Sequence, residues 1–127
     1  MRFEHFAINV PDSRAAADWY VAQLGLKVVR AVEGAPWTRF LADDSGRTVL
    51  EVYSNPKAPY PDYHNQHWLV FHFALVSTDV EADRARLEKA GATLATIDDL
   101  PDGSRLIMMR DPWGVCIQLC RRTTPMP

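Results

Sequence analysis

Long apolar runs are missing from this chain of 127 residues. Nothing approaches the ~20 consecutive apolar residues that a membrane helix needs. Charge excess is missing too. Fourteen Lys and Arg stand against sixteen Asp and Glu, a formal net charge of −2. That balance provides no electrostatic footprint for nucleic acid or an anionic membrane surface. The pair Arg121-Arg122 is too short to change this and reads as a solvated tail. Cysteine is scarce: Cys116 and Cys120 are the two in the chain, four apart in an apparent strand. At ~3.3 Å per residue they lie ~13 Å apart, too far for a disulfide. Reduced thiols in a cytoplasmic protein fit that usage. Met1-Arg2-Phe3 leads straight into a strand pattern, so no secretory leader is expected.

What is present is ordinary for a globular chain: 47% hydrophobic and 24% charged residues. The length suits one domain with a real core, here residues 1–127. The informative feature is a repeat. HFAINVPD starts at His5 and HFALVSTD starts at His72. His5 to His72 and Asp12 to Asp79 are both offsets of 67. Self-similarity at a fixed offset implies two copies of one unit.

Each copy reads as a βαβββ module. The first has strands near 3–10, 26–33, 37–42 and 48–54. Its helix starts at Asp12 or Ser13 and stops at Gly25. The second has strands near 68–76, 93–97, 104–110 and 115–121. Its helix opens on the capping box Thr78-Asp79-Val80-Glu81 and stops at Gly91. Module one covers about 1–54, module two about 68–121. The Pro- and Tyr-containing stretch 55–67 is a loop between them. The turn signal Asp111-Pro112-Trp113-Gly114 separates two strands of module two. One module cannot bury both faces of its sheet. The expected fold is therefore α+β, a curved, cupped mixed sheet with the helices outside.

Strand alternation sorts the side chains. His5, Ala7 and Asn9 share one face, opposite Phe6, Ile8 and Val10. His72, Ala74 and Val76 oppose Phe71, Phe73 and Leu75. In the last strand of each module, Glu51 and Gln118 likewise lie opposite the bulky apolar residues, again 67 apart. His5, Glu51, His72 and Gln118 thus occupy the faces that the helices do not claim. Two imidazoles, a carboxylate and an amide oxygen make a site for a divalent transition metal. Zn, Ni, Co, Mn and Fe all suit mixed nitrogen and oxygen donors. The alternative is that Glu51 pairs with Arg39 or Arg105 and the histidines bond to backbone. His64 and His67 form a further HxxH pair, placed on a loop and expected to be exposed. Cys116 and Cys120 flank Gln118 and are expected to act as small apolar residues. Trp37, Tyr53, Trp68 and Trp113 are candidates for lining an aromatic cleft.

HFAINVPD with ADWYVAQLGLKVV, TVLEVY, FHFALVSTD and DPWGVCIQL together resemble the vicinal oxygen chelate superfamily. That group includes glyoxalase I, extradiol dioxygenases, methylmalonyl-CoA epimerase, and fosfomycin and bleomycin resistance proteins. The resemblance covers about residues 1–121. It implies paired modules around a cavity, with a metal held at the positions of His5, Glu51, His72 and Gln118. Bacterial glyoxalase I is similar at the first three and has Glu where this chain has Gln118. The function implied is a lyase or isomerase that abstracts a proton next to a carbonyl, with Glu51 as catalytic base and a metal-stabilised enediolate or enolate. The resemblance also admits a metal-free protein that binds a small molecule, and an iron-dependent extradiol-type dioxygenase. It implies a homodimer acting on a small-molecule substrate.

Overall fold

The computed structural model describes residues 1–126. The chain forms two compact units, the first Met1–Pro61 and the second beginning at Asp62. Each unit contains one helix and one four-stranded mixed sheet.

In the first unit the order is β1 (Phe6–Asn9), α1 (Ser13–Leu24), β2 (Lys27–Ala31), β3 (Arg39–Ala42) and β4 (Thr48–Tyr53). The sheet runs β1-β4-β3-β2. β1 is parallel to β4, and the other neighbours are antiparallel. Asp12 caps α1, its Oδ1 accepting from the Ala15 N–H at 3.0 Å. Gly25 ends the helix at φ 70°, a left-handed conformation that glycine adopts without Cβ strain. The helix packs on β2, β3 and β4. It buries Ala16, Ala17 and Tyr20, while the sheet buries Ile8, Val10, Leu41, Leu50 and Val52. Alternation in β4 is clean: Leu50 and Val52 are buried, whereas Glu51 and Tyr53 are partly open.

The second unit repeats the plan with β5 (Phe73–Val76), α2 (Val80–Lys89), β6 (Thr93–Asp99), β7 (Arg105–Arg110) and β8 (Cys116–Arg121). Its sheet runs β5-β8-β7-β6, with β5 parallel to β8. The cap of α2 is Asp79, whose Oδ1 accepts from Ala82 N–H at 3.0 Å, rather than Thr78. Starting the helix one residue later lets its first residue, Val80, be buried. Ser77, at the end of β5, donates to Asp83 of α2 at 2.6 Å and ties strand to helix.

Each sheet is irregular near its outer edge. The β2–β3 register shifts between Val28 and Arg30, and the β6–β7 register between Leu94 and Thr96. Such bulges insert an unpaired residue and increase local twist.

Several strands are shorter than the sequence predicts: 3–10 contracts to Phe6–Asn9, 26–33 to Lys27–Ala31 and 37–42 to Arg39–Ala42. The largest change is in β5. Residues 68–76 read as continuous strand, but Trp68, Leu69 and Val70 form a turn and β5 starts at Phe73. His67 explains the difference. Its Nδ1 accepts from Leu69 N–H at 3.2 Å and its carbonyl accepts from Val70 N–H at 3.0 Å. Its ring also stacks on Trp68 at 4.1 Å. These local bonds compete with the sheet and win.

The stretch before it is anchored as well. The Arg110 guanidinium donates to the carbonyls of Tyr63, Gln66 and Gly114. Asp111 is buried and accepts from the N–H groups of Trp113 and Val115, both at 2.9 Å. The Asp111–Gly114 turn is therefore more than a reversal of direction. It is the seat on which residues 63–66 rest.

Candidate metal site and ligand pocket

His5 lies one residue before β1, and Glu51 lies in β4 opposite Ala7. The parallel pairing brings their side chains together. His5 Nε2 stands 3.1 Å from Glu51 Oε2. Both groups are about three-quarters buried, with side-chain exposures of 24% and 22%. The other ring nitrogen, Nδ1, is buried 2.8 Å from Glu4 Oε2, but the contact lacks hydrogen-bond direction and leaves Nδ1 without a hydrogen-bond partner. Phe40, cross-strand from Glu51, sets its ring edge-to-face against the imidazole at 5.6 Å. The Arg30 guanidinium sits over the Phe40 ring, 5.8 Å from its centroid.

The arginines proposed as alternative partners of Glu51 are committed elsewhere. Arg39 bonds to Glu33 at 3.1 Å and to the carbonyls of Val32 and Thr38. Arg105 bonds to Glu81 at 2.6 Å and Asp99 at 2.7 Å. These carboxylates hold the Arg105 guanidinium above its ordinary pKa, Asp99 most strongly.

In the second unit His72 lies one residue before β5, matching His5 before β1. Gln118 lies in β8 opposite Ala74 and Met108. His72 and Gln118 are both partly buried. The amide is oriented by a neighbour: Cys120 Sγ donates to Gln118 Oε1 at 3.3 Å. Both cysteines are free and buried, and burial pushes both thiols above their ordinary pKa. Arg122 follows on the same side of the chain and partly opposes that shift at Cys120.

The residues present suit a divalent cation. Two donors on one ion with bonds of ~2.1 Å stand about 3.0–3.4 Å apart, the range in which His5 Nε2 and Glu51 Oε2 already lie. A carboxylate beside the second imidazole nitrogen is also the usual surrounding of a ligating histidine. Among the described residues, no group of three or more His, Cys, Asp and Glu side chains gathers at one point.

The other candidates separate. His64 and His67 are exposed, and His67 is occupied with Leu69 and Trp68. Trp37 carries Arg14 over its ring at 4.6 Å, and its carbonyl accepts from the Ser13 hydroxyl at 2.8 Å. It serves the β2–β3 loop, where it holds a positive φ of 57°. Glu4 was not legible as a neighbour of His5, because adjacent residues in a strand face opposite ways. It precedes β1, so the alternation does not apply to it.

A cavity of about 300 Å³ opens in the second unit. It is lined by Ala74, Leu75, Val76, Cys120, Arg122, Pro125 and Met126. It therefore touches the face that carries Gln118.

No protein of curated function matches the sequence. Several solved structures share the fold. A glyoxalase family protein from Enterococcus faecalis is 23% identical with a TM-score of 0.71, covering 94% of this chain and 97% of that one. TnmS3, an antibiotic binding protein from Streptomyces sp. CB03234, is 22% identical with a TM-score of 0.68, covering 97% of both chains. Lactoylglutathione lyase from Agrobacterium tumefaciens is 20% identical with a TM-score of 0.65, covering 94% of this chain and 92% of that one. A family model matches residues 2–119. The chain belongs to the Glyoxalase/Bleomycin resistance protein/Dioxygenase superfamily.

Proposed function

We propose that the protein is a divalent-metal-dependent lyase or isomerase, with His5, Glu51, His72 and Gln118 as metal ligands. The observation that carries this reading is the His5–Glu51 pair, 3.1 Å apart while Arg39 and Arg105 are engaged elsewhere. A carboxylate placed against imidazole, and in no ion pair with an arginine among the described residues, is suited to sharing a cation. A bound divalent cation supplies Lewis-acid polarisation of a substrate carbonyl. Glu51 takes the proton from the adjacent carbon and returns it. Gln118 can ligate through its amide oxygen but cannot accept a proton. Glu51 is then the one ligand of the four that can carry the proton in both directions. His5, its ring set against that of Phe40, holds that carboxylate in place.

The test is metal content of the purified protein by elemental analysis, after incubation with Zn, Ni, Co, Mn or Fe. About one ion per chain, lost in His5→Ala and Glu51→Ala, supports the reading. A metal-free protein in every preparation overturns it. Lactoylglutathione lyase, epimerase and dioxygenase assays then sort the reaction, and oxygen uptake with a catechol marks the iron-dependent alternative.

The second reading is metal-free binding of a small molecule. It is favoured by the mainly apolar lining of the cavity beside Gln118 and by the likeness to an antibiotic binding protein. A homodimer is part of the proposal and is checked by light scattering. Cytoplasmic location is also part of it, supported by two unpaired thiols. No helix among the described residues is long and apolar enough to cross a membrane.

A further inference from the structure

We infer that the second-unit cavity takes a small monoanionic ligand with an apolar body, its acid group held by Arg122. The inference rests on the proposed function in one respect: it assigns a substrate class to the face that carries Gln118.

Three observations lead to it. First, the walls are apolar. Ala74, Leu75 and Val76 come from β5, Cys120 from β8, and Pro125 and Met126 from the chain that follows. A volume of about 300 Å³ lies at the small end of ligand pockets, which run from about 300 to 1,000 Å³. Second, the cavity has one charged lining residue, and it is cationic. Arg122 is half-buried and takes part in no ion pair among the described residues, unlike Arg39, Arg84, Arg86 and Arg105. Third, the carboxylate that feels its charge is engaged. Asp102 senses the charge of Arg122, but its Oδ1 accepts from Ser104 N–H at 2.9 Å and its Oδ2 from the Ser104 hydroxyl at 3.0 Å.

A guanidinium at the rim of an apolar pocket selects a planar acid by paired, charge-assisted hydrogen bonds. The apolar walls reward the removal of hydrocarbon from water. A neutral ligand would leave Arg122 unanswered, and a cation would be repelled. Cys120 stands between Arg122 and Gln118, reaching the first from one side and bonding to the second at 3.3 Å. An acid anchored at Arg122 therefore extends its body along the strand toward Gln118.

The probe pair is hexanoate and 1-hexanol, titrated calorimetrically into the full-length, chelator-treated protein. Hexanoate should bind saturably, about tenfold or more tighter than hexanol, as expected for a charge-assisted bond. Arg122→Gln should remove that preference, bringing hexanoate to the affinity of hexanol. Val76→Asp, at a position 92% exposed and so harmless to the core, removes one apolar wall for both probes and adds repulsion for the anion, so it should weaken hexanoate more than hexanol. Saturable hexanoate binding to Arg122→Gln at the wild-type level overturns the inference. So do equal affinities for the two probes, and so does the absence of saturable binding. Metal content is read on separate samples of the same variants after incubation with each candidate metal. No metal uptake alongside hexanoate binding refutes the metal reading alone, and the converse refutes the anion pocket alone.

Discussion

His64 stands where a side chain on residue 114 would begin. A Cβ built on Gly114 would lie 2.6 Å from His64 N and 2.9 Å from its Cα. Gly114 also has φ 85°, outside the comfortable range of other residues. Gly114→Ala should therefore destabilise the protein by about 1–3 kcal/mol. Urea unfolding checks this. An unchanged midpoint would mean that residues 63–66 yield without cost.

Arg110 reaches the same segment through the carbonyls of Tyr63 and Gln66. Arg110→Met should leave both carbonyls to water and loosen the 62–71 stretch. The expected result is faster cleavage there under limited proteolysis. Combined with Gly114→Ala the losses should be less than additive, because both variants free one segment.

Gln118→Glu should tighten divalent-metal binding by about tenfold or more, since a carboxylate replaces a neutral amide oxygen. Glu51→Gln should weaken it by at least a similar factor. Competition titration against a chromophoric chelator measures both. Equal affinities across the series would remove both side chains from the ligand set.

Burial holds Cys116 and Cys120 above their ordinary pKa, with Arg122 acting against it at Cys120. Less thiolate is present at about pH 8 than in free cysteine, so alkylation should be slow in the folded protein and fast in urea. Arg122→Gln should slow Cys120 further and leave Cys116 unchanged. Mass spectrometry of iodoacetamide-treated protein separates the two sites.

Asp83 behaves in the opposite way. Partial burial raises its pKa, but the Ser77 hydroxyl and Arg86 more than offset this and hold it below 3.8. A depressed folded value means that the stabilisation is present above the unfolded value and lost as pH falls through the folded one. Asp83→Asn should cost about 1 kcal/mol near neutrality, since a third of the side chain stays exposed and solvent screens the pair. The melting curves of variant and wild type should converge below pH 3.8.

The legible parts of the fold were those with a period or a repeat. Alternation put Glu51 and Gln118 on the faces away from Leu50 and Ile117, and both are partly open while those neighbours are buried. The offset of 67 made His5 and His72 equivalent, although each lies one residue before its strand rather than inside it as the sequence predicts. What escaped has no local pattern. Arg110 finds its carbonyl partners 44 and 47 residues away. Trp68, Leu69 and Val70 have strand-forming side chains, yet one histidine ring turns their backbone aside. Glu4 reached His5 because the chain leaves the regular pleat before β1.

The two register shifts near the outer strands bear on how the protein behaves when concentrated. β2 and β6 are sheet edges, with unpaired backbone groups along one side. β2 carries Lys27 and Arg30, and β6 carries Asp98 and Asp99. Like edges repel, but a basic edge and an acidic one attract, and copies could add end to end into a ribbon. The kinks at Val28–Arg30 and Leu94–Thr96 spoil the straight ladder such growth needs. Colloidal stability is thus built into the backbone at two points, where surface charge alone would work against it.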